Sequence, residues 1–471
     1  MKKSLCFLIS LCLLGFYSFG QKKSSTKPNF IIIFTDDQGY QDLGCFGSPN
    51  IKTPNIDKMA EEGMKLTNFY AQTVCGPSRA ALMTGCYPLR NARNDDGEAP
   101  HPKLSLSEVT IAEVLKPLGY RTCMIGKWDL AGHHAEQFNP DLLPMHQGFD
   151  ESFFTPTSND SRVHLLRNDQ LVEKNADMST LTKRYTDEAI RFIDKNQEKP
   201  FFLYLAHTMP HVKLAVSAEF KGKSKGGLYG DVIEEIDYNV GRILKKLKES
   251  GLDDNTYVIF TSDNGPWWIK KDHAGHAEPL RGAKTSAWEG GFRVPFVIRA
   301  PGKVPANKVS NEVVATIDML PTLAHIAGAK VPTDRVIDGL DVSNIFSGKK
   351  KVLDRPFFYY QHYELRAVRK GKWKLHLPNQ PDSTSIVYDK WQNHIAPKDR
   401  LMFTKPMLYN LESDIDETTD VAAQNPKVVA ELTKLLDWAK EDIGTYKHRG
   451  KNARPLGNEA YNTPNTILPS N

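Results

Sequence analysis

Four short apolar runs rich in Val, Ile and Phe constrain this chain most: NFIIIFTDD (29–37), FFLYLAHTMPH (201–211), TYVIFTSDNG (256–265) and VPFVIRAP (294–301). They are continuous rather than alternating, and bounded by polar or turn-forming residues, as expected of strands buried on both faces. Helical patterns separate them. Thr53-Pro54 opens one that Gly63 closes, and a second from Tyr229 to Lys248 places Val232, Ile233, Ile236, Val240, Ile243, Leu244 and Leu247 on one face. Strands alternating with helices predict an α/β fold, a large, mainly parallel sheet sandwiched by helices.

The pattern changes near Lys350. RPFFYY, LRAVRK and KWKLHL read as short antiparallel strands, the last two joined at Lys370-Gly371, and a helix follows, capped by Asn425, begun by Pro426 and ended by Gly444. The expected organisation is a catalytic domain over 28–350, a smaller C-terminal α+β domain over 351–445, and a tail over 446–471 that either wraps loosely or is disordered. At 471 residues the chain exceeds one ordinary core, in keeping with two units. No internal repeats occur.

Residues 1–20 (MKKSLCFLISLCLLGFYSFG) join a basic start, a short apolar stretch and small residues, the pattern of a cleavable secretory signal. No other stretch is long and apolar enough to span a membrane, so the expectation is an exported, periplasmic or secreted protein. The formal charge of +5 falls to about +3 without Lys2 and Lys3, and with no long basic run it makes no case for nucleic acid. Cys45, Cys75, Cys86 and Cys123 remain after cleavage, too few for a disulfide framework and matching no zinc spacing. Whether any of them pair is left open.

In open α/β sheets ligands bind beyond the carboxyl ends of the strands. The first run ends there in Asp36-Asp37, the second leads to His207 and His211, and the third ends in Asp263-Asn264. Two oxygen-rich pairs meeting at one edge form the hard-ligand set for Ca²⁺ or Mg²⁺; either pair alone would read as turn residues. VCGPSRAALMTG (74–85) reads as a helix with Pro77 in its first turn and Gly85 after its end, which puts Cys75 at the N-terminus with Arg79 one turn on. Two readings of Cys75 stand side by side: a thiolate activated by an electropositive helix end, and a small buried hydrophobe.

These motifs carry a family resemblance. CGPSRAALMTG (75–85) matches a C-x-P-S-R signature and GKWDLAG (126–132) matches a second at all but one position. Around them stand TDDQGYQDLGCFG (35–47), TMPH (208–211), YGDVIEEIDYNVGRIL (229–244), TSDNG (261–265), LRGAKTSAWEGGFRVP (280–295), IDMLPTLAHIAG (317–328) and MLYNLESDIDETTD (407–420). In this order they resemble the type I sulfatases of the alkaline-phosphatase superfamily, arylsulfatase and N-acetylgalactosamine-6-sulfatase-like members in particular.

The resemblance implies a sulfuric ester hydrolase acting on a sulfated, polymer-derived saccharide. It implies that a dedicated maturation enzyme oxidises Cys75 to Cα-formylglycine, whose hydrate attacks sulfur and later eliminates sulfate. By the same resemblance Asp36, Asp37, Asp263 and Asn264, with residue 75, bind Ca²⁺ (Mg²⁺ being possible), and Asp263 also accepts the attacking hydroxyl's proton. His211 protonates the leaving oxygen, Lys127 and Lys284 bind sulfate, and Arg79 steadies the formylglycine. His207 reads as structural. The departure is Asp129, where the family has histidine; it reads as an altered catalytic residue or one orienting Lys127, with His133 or His134 near enough in sequence to compensate. Two other readings are a phosphate or phosphonate ester hydrolase of the same superfamily and a non-catalytic binder of sulfated glycans. Candidate segments for substrate recognition are 153–169 and 361–366, where His164, Arg167 and His362 read either as contacts to sugar hydroxyls or carboxylates or, the commoner case, as plain surface residues; Trp267-Trp268 reads as stacking on a sugar or packing.

Overall fold

The computed structural model describes residues 27–92, 103–133, 137–349, 353–361, 363–378 and 404–455, with shorter pieces at 387–388, 394–395, 457 and 466–468. The signal expected at 1–20, His134, His362, the boundary expected at 350 and part of the 446–471 tail lie outside these residues.

The central sheet has eleven strands: β1 (Asn29–Thr35), β2 (Met64–Tyr70), β3 (Arg121–Lys127), β4 (Glu151–Thr155), β5 (Leu165–Arg167), β6 (Gln170–Glu173), β7 (Phe201–Ala206), β8 (Thr256–Ser262), β9 (Arg293–Arg299), β10 (Lys308–Ser310) and β11 (Val314–Ala315). They lie in the order β10-β2-β9-β8-β1-β7-β3-β4-β5-β6, with β11 also on β2. The five strands from β8 to β4 are mutually parallel. Every residue of β1 is buried, as its unbroken apolar run requires. Phe30, Ile32 and Phe34 join one core with residues of the helices Cys75–Thr84, Ile111–Leu115 and Met319–Ala327. Ile31 and Ile33 join the opposite core with the helices Leu181–Lys195 and Gly227–Glu249.

The sheet is more mixed than the apolar runs alone suggest. β9, the fourth run, lies antiparallel to both β8 and β2. Strand direction is set by the connection, not by local pattern, and this reversal has a consequence for the site: the loop entering β9 arrives at the same edge where β8 and β1 end. Segment 153–169, expected as a recognition loop, instead contains the end of β4 and the whole of β5, which pairs with β6.

In the C-terminal part, strands Pro356–Gln361, Glu364–Lys370, Trp373–His376 and Met407–Asn410 form an antiparallel sheet, and helix Pro426–Asp442 buries Leu432, Leu436 and Ala439. Gly371, at the turn, has φ +57°. This layer shares a core with Tyr70, Ala81 and Phe292 of the larger part. Fully buried Lys374 lies between Glu289 (3.0 Å) and Glu417 (2.8 Å) across that contact.

Candidate active site

Six segments converge at one edge of the sheet. β1 delivers Asp36-Asp37, β8 delivers Asp263-Asn264, β7 leads to His211, and β3 ends in Lys127 with Asp129 two residues on. β2 leads to the helix Cys75–Thr84, and the loop before β9 carries Lys284. Gly126, just before Lys127, has φ +100°, and a Cβ there would lie 1.8 Å from the Ala206 carbonyl oxygen; only glycine lets β3 meet β7 so closely.

Cys75 opens its helix after Val74, and Gly85 closes it in the left-handed conformation at φ 70°. All ten residues of the helix are buried. The Cys75 Sγ lies 3.2 Å from Asp36 Oδ1 and accepts from Lys284 Nζ at 3.3 Å. The activated thiolate is not what this environment favours. Burial, reinforced by Asp36, pushes the thiol well above its ordinary range despite Lys127 and Lys284.

Arg79 does not point at the thiol. Its Nη2 donates to Asp36 Oδ2 (3.1 Å) and Asp263 Oδ2 (2.9 Å), and its Nη1 donates to the Lys127 carbonyl at 2.9 Å. With no solvent exposure, it ties β1, β8 and β3 together beneath the site. Asp37 lies at φ 64°; its backbone N–H donates to Asp263 Oδ1, and its Oδ1 accepts from Asn264 Nδ2 (2.7 Å) and Lys284 Nζ (2.6 Å). Lys127 Nζ pairs with Asp36 Oδ2 at 2.6 Å. Both lysines are buried, and although burial opposes their charge, Asp36 beside Lys127 and Asp37 beside Lys284 hold them firmly protonated. Burial, then Asp36, pushes Asp263 upward.

Asp36, Asp37, Cys75 and His211 each place a ligand atom within 4.8 Å of the others. Two buried oxygens beside them, Asp37 Oδ2 and Asn264 Oδ1, have no hydrogen-bond donor. Orphaned oxygens among clustered carboxylates fit a hard divalent cation.

His211 Nε2 lies 3.7 Å from Asp37 Oδ2 and 3.8 Å from Asp160 Oδ1. Its ring rests against Trp267 at 5.5 Å, and burial outweighs Asp37 to lower its proton affinity. Trp267 also lies under Lys284 at 4.6 Å, whereas Trp268 is buried in a small cluster with Tyr40 and Leu280. Asp129 is buried at φ 56°, with Oδ2 3.7 Å from Lys127 Nζ and Oδ1 2.8 Å from His133 Nδ1.

Two candidate recognition residues have structural partners. His164 is buried, with Nδ1 accepting from the Asn175 amide across the β5–β6 hairpin, and Arg167, on β5, pairs with Glu188 of the helix Leu181–Lys195 over the Phe153 ring of β4. His207 is buried and held neutral, burial lowering it to about 4. Sequence reasoning missed Ser158, 3.4 Å from Lys127 Nζ, Tyr204, 3.4 Å from Arg79, and Asp160, because only the fold brings them near.

A family model described as "Sulfatase" matches residues 28–329. This chain belongs to the sulfatase family. A second model, the C-terminal region of aryl-sulfatase, matches 353–460, and one for the C-terminal part of N-sulphoglucosamine sulphohydrolase matches 283–382. N-acetylgalactosamine-6-sulfatase of Mus musculus is 37% identical over 79% of this chain and 75% of its own length. A structure from work on the metabolism of multiple glycosaminoglycans by Bacteroides thetaiotaomicron is 30% identical, with a TM-score of 0.77 over 88% of this chain and all of that one. Ps i-CgsB in complex with k-i-k-neocarrahexaose is also 30% identical, with a TM-score of 0.73 over 87% of this chain and 92% of that one. The chain is therefore a sulfatase, a sulfate ester hydrolase. Among the described residues no helix is long and apolar enough to cross a membrane.

Proposed function

We propose that this sulfatase is exported and removes sulfate from polymer-derived saccharides. The observation that carries the reading is the pairing of two buried lysines, Lys127 and Lys284, with a buried oxygen cluster around Cys75. Cations from β3 and from the loop before β9 meet there at one spot able to hold a tetrahedral anion.

Asp36, Asp37, Asp263 and Asn264, with residue 75, would hold the cation, Ca²⁺ or Mg²⁺. When bound, it would offset the charge of the sulfate oxygens. Conversion of Cys75 to formylglycine would supply a nucleophilic hydroxyl as its hydrate. Cys75 is only 4% exposed, which supports a maturation enzyme that acts before the domain closes.

The remaining roles belong to the chain's own side chains. Lys127 and Lys284 bind the sulfate oxygens. Arg79 fixes Asp36 against Asp263 and so sets the spacing of the donors. Asp263 is the proton acceptor for the attacking hydroxyl. His211, backed by Trp267 and facing Asp160, donates a proton to the leaving sugar oxygen.

A carbohydrate leaving group is supported by the names of the relatives, one an N-acetylgalactosamine-6-sulfatase and another a protein solved with a neocarrahexaose. The test is sulfate release from a panel of sulfated mono-, di- and oligosaccharides, alongside aryl sulfate and aryl phosphate. The expected result is release from at least one saccharide, with aryl sulfate turned over far faster than aryl phosphate. Turnover of aryl sulfate with no release from any saccharide would overturn the carbohydrate assignment.

A further inference from the structure

One rim of the site is a chain of alternating charge that runs past Lys127. Asp129 Oδ2 lies 3.7 Å from Lys127 Nζ, and Asp129 Oδ1 lies 2.8 Å from His133 Nδ1. His133 Nε2 lies 3.3 Å from Asp160 Oδ2, and Asp160 Oδ1 lies 3.8 Å from His211 Nε2. Asp129 is buried beside Lys127, which on the reading above binds an anion. An uncompensated carboxylate there would repel sulfate and weaken Lys127, which Asp36 already engages at 2.6 Å.

We propose that His133 is a positioning residue that neutralises Asp129, so that this carboxylate braces Lys127 without repelling the sulfate Lys127 binds. The geometry supports a charged imidazole, since a carboxylate flanks each ring nitrogen. Burial and Lys127 oppose the charge, yet Asp129 and Asp160 prevail and push His133 up to about 9. His133 is about one-fifth exposed, on the loop after β3, so a substitution there leaves the core intact. The brace would also explain how an aspartate is tolerated beside an anion site: Asp129 and His133 together carry no net charge.

The inference rests on Lys127 binding sulfate, and the experiment separates the two claims. Affinity for inorganic sulfate is measured by calorimetry, and KM and kcat for 4-nitrophenyl sulfate by initial rates at pH 7. The proteins are the wild type, Lys127→Ala, His133→Gln, Asp129→Asn and the double variant His133→Gln/Asp129→Asn. His133→Gln should weaken sulfate binding and raise KM by about tenfold, the scale of one unit charge a few ångströms from the anion in a partly screened site, with a smaller change in kcat. Adding Asp129→Asn should recover much of that loss, because the repulsive charge is then gone. Unchanged sulfate affinity in His133→Gln, or a double variant no better than the single, would overturn the neutralising role. Lys127→Ala with wild-type sulfate affinity would overturn the underlying assignment of Lys127 instead. Loss of packing alone would not be relieved by a second substitution, so the double variant distinguishes charge from structure.

Discussion

Replacing Arg79 with methionine tests the electrostatic floor of the site without touching substrate. Arg79 is fully buried and donates to Asp36, Asp263 and the Lys127 carbonyl. Asp36 keeps Lys127 as a partner after the change, whereas Asp263 loses its ion pair. Removing one partner of a buried pair costs about 3–5 kcal/mol, and the orphaned carbonyl adds about 1 kcal/mol. The expected loss is therefore roughly 4–6 kcal/mol, well above the ~1 kcal/mol typical of single substitutions. Urea denaturation followed by fluorescence, with EDTA present so that no cation compensates the carboxylates, should show a midpoint lower by roughly 1–2 M for a slope near 3 kcal/mol/M. Adding Asp263→Asn to Arg79→Met should restore part of the loss, since the unpaired charge disappears. A loss under about 1 kcal/mol, or no relief from Asp263→Asn, would refute the reasoning.

Calcium at about a hundredfold over its Kd should stabilise the wild type by ~2.7 kcal/mol in thermal unfolding, and Asp37→Asn with Asn264→Ala should abolish that gain. His211→Ala should lower kcat/KM by about 10²–10⁴ on sugar sulfates and by clearly less on an aryl sulfate, whose phenol leaves with little protonation; equal losses on both would remove His211 from the proton-donor role. His207 supplies a pH signature of stability. Its folded value near 4 lies below the ordinary 6.5, so the unfolded chain binds the extra proton as pH falls through that window. Stability should therefore drop between pH 6.5 and 4 by up to about 3 kcal/mol on this residue's account, and His207→Gln should flatten the acid limb of a stability–pH curve.

What the sequence made legible follows from how local each signal was. β1, β7 and β8 announce themselves because strands buried on both faces need unbroken apolar runs, and the acidic pairs at their ends mark the sheet edge. β2 and β3 carry no such signal, because MKLTNFY and RTCMIGK interleave polar residues with apolar ones. The reversed direction of β9 depends on its long connection and has no local signature. The same division holds in the site. Cys75, Lys127, His211 and Lys284 lie in recognisable motifs, whereas Tyr204, Ser158 and Asp160 lie in segments legible in the sequence but show their own contacts only when the strands are paired. Arg79 was legible as a site residue one turn into the helix, but its partners were not: the carboxylates of β1 and β8, far apart in sequence, hold its guanidinium. Of the two readings of Cys75 that local sequence left open, burial and Asp36 favour the protonated thiol over the thiolate, against the pull of Lys127 and Lys284. His164 and Arg167 read as recognition candidates because a polar stretch looks like a loop; part of that stretch is strand, and their partners are Asn175 and, on the helix Leu181–Lys195, Glu188.

The central claim is that Cys75 is the precursor of the group that attacks sulfur, and sulfate release tests it most directly. Wild type and Cys75→Ala, each produced together with a formylglycine-generating enzyme, are compared on the same sulfated saccharide under single-turnover and steady-state conditions. The account predicts sulfate release by the wild type and a loss of at least about 10³-fold in Cys75→Ala, with the fold and sulfate binding retained. Turnover by Cys75→Ala close to the wild-type rate would contradict it.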